Sequence, residues 1–379
     1  MMNFKVDPDH IAGFGKLVGR AADDMRSASS YIDNNTQVGG SLSSFAWDII
    51  GGNHDQTVAD AKTTIKGFTE ILDASEKELT RSAKYYRATD QKEAAKLDGT
   101  YESPSSAREW DEADADLGTV NPSDFTDRSS STDRLKSTDV DENYFQEWGG
   151  EFMLNPVSKA GGTLLDFGSP TGIVTEALKF AGIVDVFDKP VQALGGDWEG
   201  YLKASVAWGN IANFCEDVAD NIQWGNRSLD ESWHGNAAET AWRYFHEIGQ
   251  KLKGAAESFR SLQQHYDQIA RMVYSAAELT KGVIVMICDL AVQAILFNIA
   301  MAAALASVYG SAAAPVLEAL AMSRVMAALK KYTEMLMILE KLVTGVHAVI
   351  GLVFAASAGL CSQVKDFPRP GSGYDHQAV

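Results

Sequence analysis

Two short patterns in this chain set an aromatic ring four residues before a carboxylate: Tyr86-Arg-Ala-Thr-Asp90 and Tyr274-Ser-Ala-Ala-Glu278. On a helix that spacing puts both groups on one face, where one partner can read ring and charge together. Each pattern follows a tryptophan at nearly the same distance, Trp47 by 39 residues and Trp233 by 41. Trp233 belongs to Trp233-His234-Gly235, in which the ring can cap an apolar seam and the glycine accepts backbone angles or close approaches that other residues resist. Trp47 is instead followed by Asp48-Ile49-Ile50 before Gly51. The chemistry these residues offer is recognition.

Catalytic chemistry finds less support. His246-Glu247-Ile248-Gly249-Gln250 begins like a zinc-protease helix but has no second histidine at its end. Cys215, Cys288 and Cys361 form no close pair, so neither a disulfide framework nor a cysteine zinc site is expected. No Gly-x-Ser-x-Gly occurs, and the glycines around 161–172 lack the Lys-Ser or Lys-Thr of a phosphate loop. We expect no catalytic residue, cofactor or metal site, and a protein that is not an enzyme.

The 379 residues carry a formal net charge of -18, which repels phosphate backbones and argues against nucleic acid as a partner. Half of that charge lies in residues 98–142, with 13 acidic and 4 basic side chains and no apolar period. Such a stretch has too little to bury against the entropy of ordering, and reads as a flexible acidic linker.

The elements that position the patterns are helices. Ile11, Phe14, Val18, Ala21, Met25, Ala28 and Ile32 keep an unbroken alternation of three and four residues, as do Val58, Ala61, Ile65, Phe68, Leu72, Ser75, Leu79, Ser82 and Tyr86 after a glycine-rich break over 34–53. The second run predicts a helix over 54–96. The same arrangement recurs in Trp198, Tyr201, Ser205, Trp208, Ala212, Cys215, Ala219 and Ile222, then, after a break over 226–236, in Ala241, Phe245, Ile248, Leu252, Ala255, Phe259, Leu262, Tyr266, Ile269, Val273 and Ala276. Narrow seams on long helices need a second hairpin to cover them. The expected fold is therefore all-α: two long antiparallel hairpins packed as a four-helix bundle, plus an apolar C-terminal helical bundle. The expected divisions are 1–97, the first hairpin; 98–142, the linker; 143–196, a Gly/Pro-rich connection with a short helix over 171–181; 197–280, the second hairpin; 281–366, the apolar helices; and 367–379, a disordered tail.

With its Trp233-x-Gly235 bend and the Tyr274 to Glu278 pattern beyond it, the region 197–280 resembles the WXG100 family of type VII (ESX-like) secretion substrates. Residues 1–97 look like a related family of short ESX-associated excreted proteins, with Tyr86 and Asp90 in the export positions and Trp47 in the bend. The resemblance implies export as a folded helical pair, with no cleaved signal peptide, to the cell surface or beyond. It also implies a composite signal, the Tyr-x-x-x-acid motif of one hairpin lying beside the Trp-x-Gly bend of the other, read by the secretion ATPase or its chaperones. A homo-oligomer or a separate WXG100-like partner is a further possibility. Two other readings stand beside it: a membrane-active, pore-forming effector using residues 282–360, and the carrier half of a polymorphic toxin system.

The membrane reading rests on two apolar runs, 283–306 and 342–360, each near the ~20 residues needed to cross a bilayer. Asp289 in the first run and the charged stretch over 315–341 between them favour a water-soluble bundle that buries its first and last helices.

Overall fold

The computed structural model describes residues 4–38, 45–101, 125–140, 198–307, 310 and 312–370. Over these the chain is all-helical: α1 (Pro8–Asn35), α2 (Phe45–Ala88), α3 (Gln91–Asp98), a 3-10 turn (Ser131–Arg134), α4 (Trp198–Asp230), α5 (Asn236–Leu305) and α6 (Ala314–Val364). The expected connection 143–196, with its helix over 171–181, lies outside the described residues, as do 102–124 and 371–379.

Local chemistry sets the first helix. Asp7 accepts a hydrogen bond from the Asp9 N–H and Pro8 opens the first turn, so the chain enters α1 with one free donor satisfied and one φ angle already helical. Every seam residue predicted for α1 is buried. Leu17, Ala22 and Tyr31 are buried as well, because α1 faces two neighbours and its apolar stripe is wider than a two-helix seam requires.

Ion pairs fix the antiparallel register of α1 on α2: Asp9 with Arg87, Asp73 with Arg26 and Asp33 with Lys62, at 2.5 to 2.6 Å. α4 and α5 form the second hairpin, tied by Ser205 Oγ donating to the Gln263 carbonyl (2.8 Å) and Asn226 Nδ2 donating to the Trp242 carbonyl (3.0 Å). The two hairpins bury one continuous core. At its centre Phe14 of α1 meets Phe245 of α5 edge-on, with ring centroids 4.7 Å apart. Gly225 of α4 makes room for it, since a Cβ there would lie 2.7 Å from the Phe14 ring. Residues 342–360 of α6 join the same core through Leu342, Val346, Val349, Ile350, Val353 and Leu360. There Ser357 Oγ donates to Asp60 of α2 at 2.6 Å.

Several expected boundaries move. The helix expected over 54–96 begins earlier, at Phe45, and breaks at Thr89-Asp90, because Asp90 adopts an extended conformation and caps a new helix, α3. The boundary expected at 280/281 falls inside α5, a single 70-residue helix about 105 Å long. Gly282 is the only helix breaker nearby, and one interior glycine costs only about 1 kcal/mol relative to alanine. The charged stretch 315–341 and the second apolar run are likewise one helix, α6. The first apolar run is not buried in a bundle. It forms, with the first half of α6, a hairpin that stands beyond the core, Leu296, Ile299 and Leu305 being exposed.

Part of the acidic linker is anchored. Residues 125–140 lie as a strap across α1 and α4, held by groups that a search for apolar periods does not see. Phe125 is buried against Phe14 and His10. Asn221 accepts from the Arg128 and Ser129 N–H groups and donates to the Ser129 carbonyl. Arg20 pairs with Asp127, Arg134 with Asp217, and the Tyr31 hydroxyl donates to the Lys136 carbonyl. At the other end, Phe367 packs on Tyr244 and Arg369 pairs with Glu70, so the expected loose tail is held through its first residues.

Candidate functional site

The second hairpin bends at residues 231–235, and three segments of the first module converge there. The N-terminal segment pairs with the bend in extended form: the Lys5 N–H donates to the His234 carbonyl (3.3 Å), His234 N–H returns the bond to Lys5 (2.7 Å), and Asp7 N–H donates to Ser232 (3.1 Å). Lys5 Nζ donates to the Glu231 carbonyl at 2.9 Å. The end of α2 supplies Tyr86, whose ring meets Trp233 nearly perpendicular at 6.1 Å between centroids. Phe4 closes on the same ring at 6.4 Å.

The third segment is α3, through its last residue, Asp98. Its carboxylate accepts from Asn236 N–H (3.0 Å) and Ala237 N–H (2.9 Å), the first free donors of α5. The Asn236 side chain also donates to the Asp98 carbonyl at 3.2 Å. α5 has no cap of its own, because Gly235 stands at the capping position. A carboxylate from the other module therefore satisfies the orphan donors and faces the positive end of the helix dipole. Gly235 is required twice over. Its φ of +137° belongs to a region that only glycine enters readily, and a Cβ would lie 2.6 Å from Asp98 Oδ1.

Tyr86 and Trp233 are both buried, at 7% and 3% exposure, so neither ring is presented to solvent. Burial pushes the Tyr86 phenol upward, with Tyr101 and Asp98 adding to the shift and the Trp233 indole opposing it. The indole Nε1 has no hydrogen bond of ordinary geometry, so the link is chiefly a ring contact. Tyr86 is a neutral phenol throughout the physiological range.

The sequence patterns fare differently. Tyr86 and Trp233 come together beside Gly235, an arrangement that the resemblance implied. Asp90 does not share a helical face with Tyr86, because α2 ends at Ala88; it is exposed and accepts from the Lys92 N–H at 2.7 Å. Tyr274 lies in the interior of α5, half-buried. The side chains of Trp47 and Glu278 lie outside the described set.

A register relation nevertheless links them. His54 Nδ1 and the Tyr266 hydroxyl are 2.8 Å apart, and Ser75 Oγ donates to the Tyr244 hydroxyl at 3.4 Å, so α2 and α5 run antiparallel. Followed one way, that register leads to the meeting of Tyr86 with Trp233. Followed the other way, it sets the backbone of Trp47, in the first turn of α2, level with Tyr274.

Reading the sequence alone missed Asp98, which was assigned to the linker, and the pairing of residues 5–7 with the bend. The available signal for Asp98 was indirect: a helix starting after Gly235 with no capping side chain of its own needs an acceptor from elsewhere. Among the described residues no group of three His, Cys, Asp or Glu side chains is placed to hold a metal ion. Cys215 is fully buried, and burial pushes its thiol upward, away from the reactive thiolate. No protein-family model, curated protein or solved structure matches the chain.

Proposed function

We propose that this chain is a non-enzymatic substrate or structural accessory of a type VII (ESX-like) secretion system, exported as a folded helical bundle to the cell surface or medium. The observation that carries this reading is the Tyr86 to Trp233 contact, in which the Tyr-x-x-x-acid segment of one hairpin packs on the Trp-x-Gly bend of the other. Residues 86 and 233 meet only when both hairpins are folded and paired. A machine that recognises this junction thereby recognises a completed bundle.

The burial of the rings divides the labour. Tyr86, Trp233 and Gly235 hold the junction in shape, and Asp90, exposed at the break between α2 and α3, is the charge a secretion ATPase or its chaperone would contact. Tyr274 and Glu278, inside an unbroken helix, form the weaker candidate.

The test is release from a host that carries the secretion machinery. Wild-type chain is expected in the medium of the parent strain and retained in the cells of a strain lacking the type VII ATPase. Equal release from both strains would sink the proposal.

A further inference from the structure

The hairpin formed by the second half of α5 and the first half of α6 is dressed unlike any other surface of the molecule. Its internal seam is thin, with Ile284, Ile287, Ala328 and Met335 buried. Its outward faces are apolar on both helices: Leu296, Ile299 and Leu305 are 56 to 61% exposed, and Val316, Met322 and Met326 are 59 to 61% exposed. Leu320, Leu329, Leu336 and Met337 add to this surface. Within 282–305 the most apolar 18 residues have a mean hydropathy of 2.2, with only 22% of them buried. A water-soluble hairpin would carry polar residues on these faces.

We propose that residues 282–341 are a prong that enters a lipid bilayer as a helical hairpin while the double-hairpin bundle stays on the side of entry. Three observations select lipid as the occupant. Exposed apolar residues surround both helices, and a second copy would cover one side of the hairpin, whereas acyl chains cover all of them. The height fits: from Asp289 to the end of α5, and from the start of α6 to Lys330, the helices each rise about 24 Å, most of the ~30 Å of a bilayer core.

The ionic groups are also zoned by height. Asp289, Lys330 and Lys331 share the base, and Glu318 lies about 6 Å from the start of α6, at the tip. Arg324 alone stands between them, with a buried Nε that has no hydrogen-bond partner. At the base Lys331 is paired with Glu334 at 2.6 Å, and the exposed Lys330 beside the apolar shaft suits the anionic headgroups of the entry leaflet. The second apolar run is excluded from this role, because residues 342–360 are docked on the bundle between α2 and α5. The inserting unit thus takes in the stretch 315–341 between the two apolar runs, in place of the second run.

The experiment is flotation of the full chain with vesicles of phosphatidylcholine alone or mixed with phosphatidylglycerol, at neutral and mildly acidic pH. Wild type is expected to float, more with the anionic mixture. The triple variant Ile299→Glu, Met322→Glu, Met326→Glu changes only exposed positions and should lose at least about tenfold in partition. Arg324→Leu should gain, and Leu352→Glu on the docked half of α6 should float as wild type does. A fluorophore on Ile299→Cys should be quenched by lipids carrying a quencher on the acyl chain. Wild type that never floats, or a triple variant that floats equally well, overturns the proposal. So does concentration-dependent self-association of wild type without flotation, abolished in the triple variant, which would assign the faces to a second copy.

Discussion

At one end of the double hairpin, the bend at 231–235 is gripped by the N-terminal segment, the end of α2 and the Asp98 carboxylate of α3. At the other end, where Trp47 and Tyr274 share a level, α5 passes through without a break and continues for some thirty residues into the apolar prong. The two ends carry similar sequence landmarks on similar seams. What separates them is whether the helix stops. A stop creates orphan N–H groups, and satisfying them recruits residues from distant parts of the chain into a defined site. α5, running on through this end, presents no orphans of its own there.

The largest expected effect would break the pairing on which both ends depend. Phe14→Ala removes the ring that fills the space between Gly225 and Phe245, and should cost about 3–5 kcal/mol in denaturant unfolding. A loss below about 1 kcal/mol would mean that the hairpins do not meet there in solution.

Next comes the tied end itself. Gly235→Ala forces a strained φ, costing about 1–3 kcal/mol, and pushes the Asp98 carboxylate off the helix start. Asp98→Ala should lose about 1 kcal/mol through the cap alone, so the glycine variant is the more damaging of the two in thermal unfolding.

The pairing also carries a pH dependence. His54 is buried between Tyr266 of α5 and Tyr201 of α4, and burial pulls its pKa below the ordinary value, although Asp55 on its own helix and a Thr36 backbone hydrogen bond act the other way. With the folded pKa lowered, the unfolded chain binds the proton more readily. The stability is therefore present above an unfolded pKa of about 6.5 and is lost as pH falls below it toward the folded value. Melting temperature should drop between about pH 7.5 and 5.5, and His54→Gln should flatten that part of the profile.

The smallest effect sharpens the contrast between the two ends. Gly282 lies inside α5 with nothing within 4 Å of its Cβ position, so Gly282→Ala should stabilise the run-on by about 0.5–1 kcal/mol. Slower amide exchange around residue 282 would register it. Alanine thus acts with opposite sign at the glycines of the two ends.

Much of this was legible in the sequence. The seams of α1, α2, α4 and α5 were, because burial against one neighbour leaves a period of three and four residues, and the Trp233 bend was, because the period fails there. The end of α5 was not: Gly282 is a weak breaker, and apolar residues on either side of it look alike whether they face a core or open space. The strap over 125–140 was hidden for the opposite reason. It binds through backbone groups, Asn221, arginine–aspartate pairs and one lone aromatic, Phe125, inside a stretch whose composition reads as solvated. The candidate site was half legible. Tyr86, Trp233 and Gly235 stood out by spacing, whereas Asp98 entered through a helix end that only the fold places beside it.

The central claim is that the junction at the tied end is what the secretion machinery reads. Release into the medium of Asp90→Asn and Tyr274→Ala, each beside wild type, tests it most directly. Asparagine caps a helix as well as aspartate does, so Asp90→Asn keeps α3 and removes only the exposed charge. The account predicts that Asp90→Asn stays in the cells, folded, while Tyr274→Ala is released as wild type is. Normal release of Asp90→Asn together with retention of Tyr274→Ala would contradict it and move the signal to the other end.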